Sequence, residues 1–437
     1  MGGANTTRLA MHQCTAKAII WPQKHKCRAQ MRKSTHMKRP VIVYFGPFAL
    51  PDRNAAAHRA IGNAKVLQML ECDVRIVGFD ESSDRRAKRG GRCVPGIGLV
   101  TIGAQSKSAP VISSFRLNPT SAIRYLLKLR RRRTIAGVIC YNYTSLAQAG
   151  IQLFCKLRAI PYITDVTEWN TASGRSWLYD ILRFADIDMR VRVLNKFADR
   201  LITTSPFMST YYRRRNRRIA ELPTLFDRSV IKFVEHKPRQ AGNGVRLLFV
   251  GPGFDLALPK VEKKFLKERI DLVIQMTAAA RNVGHDISLD IFGIAREQYI
   301  HFFPQDKGNL DKHAVAFRFH GRVPHAAILR ALREADFSIV LRDNKKGNNA
   351  GFPTKFAESL MCGTPVVIDE IESISAYFNH PHVLLLNRAE PSVMARQLLV
   401  LIEAYRNREW AQQSGRDSYQ TFHFANFREE MAKVIDL

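Results

Sequence analysis

Acidic residues are scarce in the first half of this chain of 437 residues: residues 1–36 contain none, and residues 1–220 hold 12 Asp and Glu against 39 Lys and Arg. The remainder is nearly balanced at 26 against 29, so almost all of the net charge of +30 lies in one half. Cysteine is also sparse. The seven present, Cys14, Cys27, Cys72, Cys93, Cys140, Cys155 and Cys362, are scattered, odd in number and free of any C-x-x-C. That pattern excludes a disulfide framework and a zinc site and fits a reducing cytoplasm; no metal ion is expected. No run approaches the ~18 apolar residues of a spanning helix, and residues 1–36 lack the apolar core of a secretory signal. An exported or membrane-spanning protein is therefore not the expectation.

What is abundant is cationic. Clusters such as "LKLRRRR" (127–133) and "YYRRRNRR" (211–218) repel themselves and attract polyanions or anionic lipid. Nucleic acid is the weaker reading of this excess, because no zinc-finger spacing, RNP-like aromatic motif or heptad repeat accompanies the basic runs. An anionic membrane surface is the partner expected here, with the protein peripheral on the cytoplasmic face of the cell membrane.

Strands and helices alternate along the chain. "VIVYFG" (41–46) reads as a buried strand, followed by a Gly/Pro loop, an Ala-rich helix and the strand "VRIVGF". "AGVICYN", "LAQAGIQLFCKLR", "PYITDV", an amphipathic segment over 176–200 and "RLITTS" continue the alternation. Residues 221–244 lose it and gather Pro, Gly, Asn and Gln, after which "VRLLFVGPG" restarts the pattern. The expected organisation has five parts. A basic extension (1–37) is a disordered arm or a mis-called start, since "MKRPVIVYFGP" from Met37 reads like a natural beginning. A first Rossmann-like domain (38–220), a linker (221–244) and a second Rossmann-like domain (245–410) follow. A C-terminal helix (411–437) packs back toward the first domain. The fold class is α/β, with two doubly wound domains facing across a cleft at the C-terminal ends of their strands.

The stretch "NNAGFPTKFAESLMCGTPVVI" (348–368) carries the chemistry. Pro353 suits a helix start, Gly363 a C′ position and Pro365 a stop before a buried strand. Phe356, Ala357, Leu360 and Met361 form one packed stripe, whereas Thr354 and Glu358 fall on another face, so Glu358 need not lie in the core. Gly351 permits close backbone approach, and the helix start with Lys355 makes an anion site. A carboxylate one turn deeper can accept from two adjacent hydroxyls at once, as a ribose or a sugar presents them. The combination suits a nucleotide sugar.

With these motifs the chain resembles the GT-B glycosyltransferases of the retaining family 4 (glycosyl transferases group 1) over residues 38 to about 430. The resemblance is carried by "GPFALPDRNAAAHRAIGNAKVL", "ELPTLFD", "FVGPG" and, above all, "FHGRV…ADFSIVLR…NNAGFPTKFAESLMCGTPVVI". It implies a nucleotide diphosphate sugar donor on the second domain, an acceptor on the first and no required cofactor. Glu358 matches the glutamate that grips the nucleotide ribose, and Gly251 and Gly253 match the glycine loop facing the pyrophosphate. Asn349, Gly351, Phe352, Pro353, Thr354 and Lys355 fall in the donor-binding stretch. Two departures stand out. Ala350 occupies the position of a second glutamate that contacts the transferred sugar. The arginine after the glycine loop is missing as well, which leaves Lys264 and Lys267, with Arg342 at the end of "FSIVLR", as phosphate candidates.

In the first domain, Asp52, Arg53 and Asn54 precede a helix facing the cleft, with helix capping as the plainer role for Asn54. Asn142 and Asp165 are further acceptor candidates, and Glu168 is the preferred candidate for a base. The implied reaction is retaining transfer of a hexose-type sugar to a glycan or lipid-linked acceptor in surface polysaccharide synthesis (capsule, exopolysaccharide or lipopolysaccharide). Two other activities suit the same architecture: nucleotide-sugar epimerisation, and non-catalytic binding by a basic protein on a degenerate scaffold.

Overall fold

A computed structural model describes residues 39–50, 54–80, 97–104, 119–169, 177–215, 218–227, 244–254, 256, 266–407, 418 and 420–435. The expectations for residues 1–37, Asp52, Arg53, Lys264 and most of the linker lie outside these residues.

The first half runs β1 (Val41–Ala49), α1 (Ala55–Met69), β2 (Asp73–Asp80), β3 (Ile97–Ala104), α2 (Pro119–Arg130), β4 (Ile135–Tyr141), α3 (Ser145–Leu157), β5 (Tyr162–Val166), α4 (Trp177–Arg192), β6 (Arg200–Thr203), α5 (Pro206–Arg213) and β7 (Ile219–Glu221). All pairings are parallel, and the seven strands lie in the order β3-β2-β1-β4-β5-β6-β7. β1 is an almost unbroken apolar run buried on both faces, as a central strand covered by helices requires. The order reverses between β1 and β4, where crevices open at the strands' carboxyl ends.

The second half repeats the plan with β8 (Val245–Val250), α6 (Ile270–Asn282), β9 (Ile287–Phe292), α7 (Arg296–Phe302), α8 (Lys307–Lys312), β10 (Phe317–Gly321), α9 (His325–Glu334), β11 (Phe337–Val340), α10 (Lys346–Ala350), α11 (Thr354–Met361), β12 (Val366–Ile368), β13 (Val383–Leu385) and α12 (Pro391–Arg406). Its six parallel strands lie in the order β10-β9-β8-β11-β12-β13, with the switch between β8 and β11. The fold is thus α/β with two doubly wound parallel sheets.

The chain crosses between the halves twice, and the crossings pair with each other: Phe226 N–H donates to the Phe422 carbonyl (2.9 Å), and Phe424 N–H to the Phe226 carbonyl (3.1 Å). A last short helix, α13 (Arg428–Ala432), then lies on the first sheet's side. Met431, Val434 and Ile435 enter the core that contains Leu67 of α1 and Ile42 of β1. Arg200 Nη1 ties this tail down through the Val434 carbonyl at 2.9 Å. The N-terminal sheet's core is therefore completed by the C-terminal residues of the chain.

Candidate functional site

α11 sits beside β11 and β12 and buries Phe356, Ala357, Leu360 and Met361, the stripe expected from their spacing. Pro353 is its N-cap residue. Gly363, at φ 77°, follows the C-cap residue Cys362 and supplies the left-handed turn a side chain would resist. Glu358 departs from expectation, because it is only 4% exposed. A buried carboxylate needs compensation, and two hydrogen-bond partners supply it: Lys355 Nζ lies 2.7 Å from Oε2, and His325 Nε2 lies 3.1 Å from Oε1. Burial alone would raise the carboxyl's pKa. The His325 hydrogen bond and the charges of Lys355 and His325 outweigh it, and the net shift is downward. Glu358 is held as an anion.

Around this group the two halves touch. The His58 ring of α1 lies 5.4 Å from that of His325, tilted by 49°. Lys346 of α10 lies 3.2 Å from the ring centroid of Trp169, just beyond β5. The hydroxyls of Thr204 and Ser205 both donate to the Ala350 carbonyl at 3.2 Å. Ala350 has no exposed surface and packs with Val166, Trp169 and Met208 of the first half. Gly351 is equally close: a Cβ there would meet the Thr167 carbonyl at 3.4 Å. The small residue at 350 therefore fits a position pressed against the facing domain.

The glycine loop after β8 is dictated by close packing. A Cβ on Gly253 would lie 2.8 Å from the Gly293 carbonyl, and one on Gly293 would lie 1.9 Å from the Gly251 carbonyl. Gly293 is also at φ 92°. Backbone alone can occupy this crossing, which leaves Gly251 and Gly253 at the second sheet's switch point. Thr354 and Lys355 open α11 and are partly exposed. Asn349 is 7% exposed; its Nδ2 donates to Asn344 Oδ1 at 2.7 Å, and its own Oδ1 is buried without a partner.

Several expected site residues are occupied elsewhere. Phe352 is buried in an aromatic cluster with Phe356, Tyr377 and Phe422, so it acts as a packing residue for the loop before α11 and not as the expected donor contact. Arg342 is 2% exposed, with Nη2 2.5 Å from Glu268 Oε1 and its backbone N–H on Asp369. It does not reach an open crevice. Lys267, next to Glu268, is exposed.

Asp165 has no exposed surface and receives Arg59 at 2.7 Å, together with the Tyr44 hydroxyl. The same guanidinium donates to the carbonyls of Leu222 and Pro223 at 2.9 and 3.0 Å, tying the start of the linker to β5. Asp165 is therefore a structural residue, its carboxylate oxygens taken by Arg59 and Tyr44, and not an acceptor ligand. Asn54 caps α1, accepting from the N–H groups of Ala57 and Ala49 and donating to the Pro47 carbonyl, so the capping role displaces the acceptor one. Asn142, at φ 41°, spends its Nδ2 on Thr167 Oγ1 at 2.8 Å. Glu168 is partly exposed beyond β5, and its charge acts on Tyr141 and Arg190. His325, His58, Trp169 and Lys346 were not singled out from the sequence; only His325 carried a local cue, standing after a proline at a helix start. Among the described residues no group of three or more His, Cys, Asp or Glu is placed to hold a metal ion.

Residues 274–433 match a family model described as "Glycosyl transferase-like". A comparison with curated proteins gave no match. Solved structures share the fold over most of the chain. Sucrose-phosphate synthase from Thermosynechococcus elongatus has a TM-score of 0.59 at 12% identity, with 91% of this chain and 98% of that one covered. Anabaena HepE in complex with UDP and glucose has a TM-score of 0.58 at 12% identity, covering 90% and 98%. WaaG, a glycosyltransferase involved in lipopolysaccharide biosynthesis, has a TM-score of 0.56 at 10% identity, covering 90% and 99%. The chain has the GT-B fold, and its residues 274–433 are similar to the glycosyl transferase-like family.

Proposed function

We propose that the protein is a retaining glycosyltransferase that moves a hexose-type sugar from a nucleotide diphosphate sugar to a glycan or lipid-linked acceptor in surface polysaccharide synthesis. The observation that carries this reading is Glu358: a buried carboxylate, kept ionised by His325 and Lys355, on a helix covered by α9, whose His325 meets His58 of the first half. Each of its oxygens keeps a lone pair for the O2′ and O3′ hydroxyls of a ribose. The donor diphosphate then lies against the backbone at Gly253 and the start of α11, where the positive end of the helix dipole suits an anion. The exposed Lys267 and, outside the described residues, Lys264 are the cations for it.

Stabilising the leaving diphosphate is the main catalytic demand, and that group can itself take the acceptor's proton. Glu168, at the mouth of the first sheet, serves the acceptor hydroxyl. Asp52 and Arg53 are the acceptor-side groups left once Asn54 and Asp165 are assigned structural roles. A HepE structure holding UDP-glucose supports a UDP-linked hexose as the first donor to try. An epimerase needs acidic or basic groups at the sugar itself, and Ala350 removes one where the donor loop meets the facing domain.

The same reading places the acceptor-side half against anionic lipid at the cytoplasmic membrane face. Support comes from exposed apolar side chains on neighbouring helices: Leu146, Leu153 and Leu157 on α3, and Ile181, Leu182, Phe184 and Met189 on α4. Among the described residues no helix is long and apolar enough to cross a membrane. Incubation with UDP-hexoses and a lipid-linked acceptor, with the product's anomeric configuration read by NMR, tests the assignment. An inverted linkage removes the retaining mechanism, and free epimer without glycoside favours the epimerase.

A further inference from the structure

We propose that His325 is a positioning residue for the donor ribose, acting through Glu358, and that the facing domain holds it in place through His58. The inference rests on the reading of Glu358 as the ribose-binding carboxylate.

Lys355 and Glu358 lie on one helix, three residues apart. A pair of that kind swings together and does not by itself fix the carboxylate plane. His325 approaches from a different helix, α9, with Nε2 3.1 Å from Oε1. Two donors from two directions orient the carboxylate, and they leave one lone pair on each oxygen for a vicinal diol. Since Nε2 faces a carboxylate, it carries a proton, and the ring's tautomer or charge follows from that bond.

The other side of the imidazole meets the acceptor-side half. His58 of α1 comes within 5.4 Å at a tilt of 49°. His325 is therefore wedged between the donor carboxylate and the opposite wall of the cleft, and its orientation depends on the two walls being as close as they are here. Fewer than half of its atoms' possible contacts with solvent remain, at 39% exposure. A ribose entering beside Glu358 meets a carboxylate already aimed by a group that also senses the facing domain.

Calorimetry on the full chain with UDP, ADP and GDP and their 2′-deoxy forms tests this, since only the ribose forms offer both hydroxyls. The wild type should prefer the ribose form of whichever nucleotide it binds. His325→Ala should reduce that preference by roughly tenfold or more, the scale of a hydrogen bond to a charged group, with little change for the 2′-deoxy form. His325→Gln, whose amide can reach the carboxylate from the Nε2 position, should restore most of the preference. His325→Asn is too short and should behave like the alanine variant. A fold defect would weaken both nucleotide forms together and would not separate Gln from Asn. His58→Ala should lower the preference by less than His325→Ala does.

If Glu358→Gln loses the preference while His325→Ala keeps it, the proposal is overturned and the ribose reading stands. If Glu358→Gln keeps it, or if no nucleotide binds the wild type, the ribose reading fails and the proposal fails with it.

Discussion

The Lys346 ammonium lies over the Trp169 ring, 3.2 Å from its centroid, and joins α10 to the first half of the chain. Arg192 approaches the same ring at 5.9 Å. Burial lowers the Lys346 pKa and the neighbouring Arg192 charge lowers it further, against a smaller opposite pull from Asp188. A contact of this kind contributes about 0.5–1 kcal/mol at an exposed site. The variants Lys346→Met and Trp169→Leu, combined in a double-mutant cycle of urea unfolding, should show coupling on that scale. Additive effects within about 0.3 kcal/mol would mean that the contact contributes nothing in solution.

The Arg59–Asp165 pair should behave as architecture. Both side chains are buried, and Arg59 also holds the carbonyls of Leu222 and Pro223. Removing one partner leaves an uncompensated charge, so Arg59→Met or Asp165→Asn should destabilise by about 3–5 kcal/mol. Denaturant unfolding measures this. The opposite result, normal stability with a selectively raised acceptor KM in Asp165→Asn, would restore Asp165 to the acceptor site.

These two relationships mark how far the sequence could be read. The helix over 354–361 was legible because Pro353, Gly363 and the Phe356–Met361 stripe act locally, and the strand alternation follows from the same short-range rules. The partner of Asp165 was not. Arg59 lies 106 positions away, and a lone arginine in an Ala-rich helix carries no local mark of burial. Glu358 looked solvated because helical phase places it off the apolar stripe, but α9 covers that face and supplies His325 from 33 positions upstream. Ala350 stood out in the sequence only as a departure at a position where relatives carry a sugar-contacting glutamate. In the fold it is a buried contact whose carbonyl receives Thr204 and Ser205, a constraint that no motif within the donor domain can show.

Stability should fall between about pH 6.5 and pH 4 because of His380. Burial, with the adjacent His382, pushes its pKa down to about 4. A histidine depressed in the folded state stays neutral there while the unfolded chain takes up a proton. Its contribution is complete above the unfolded value near 6.5 and is lost as the pH falls toward 4. The slope is of order 1 kcal/mol per pH unit at most. His380→Gln should flatten this part of a plot of unfolding free energy against pH; an unchanged slope would place the proton uptake elsewhere.

Glu358 acts lower on the scale. Burial raises its pKa, but His325 and Lys355 bring the net value below 4.5. Its stabilisation is present above the unfolded pKa and is lost as the pH falls through the folded one. Glu358→Gln should therefore remove part of the stability loss below about pH 4.5 while severely cutting transfer at neutral pH. Near-normal turnover in that variant would sink its assignment to the donor site.

The membrane reading makes the sharpest demand on the first half. Phe184 and Phe197 are 51% and 70% exposed, and Leu146 and Leu157 are 82% and 74% exposed. Scattered exposed apolar side chains are ordinary, but several on adjoining helices beside a basic run suit a lipid interface. Arg130, Arg131 and Arg132 are exposed, whereas Arg133 is held by Asp73 at 2.5 Å, so the first three are the cations available to headgroups. Each contributes on the order of 1 kcal/mol near anionic lipid and is screened by salt. The protein should sediment with anionic vesicles at low salt, release at high salt and ignore neutral vesicles. Reversing Arg130–Arg132 to glutamate should abolish most of that binding while donor affinity holds, because the proposed donor site lies in the other half and Arg133 keeps its structural partner. Phe184→Ser with Phe197→Ser should weaken the salt-resistant part alone. Equal binding to neutral and anionic vesicles, or binding untouched by the charge reversal, would remove the lipid surface as the partner of these arginines and return the basic half to a polyanion such as nucleic acid.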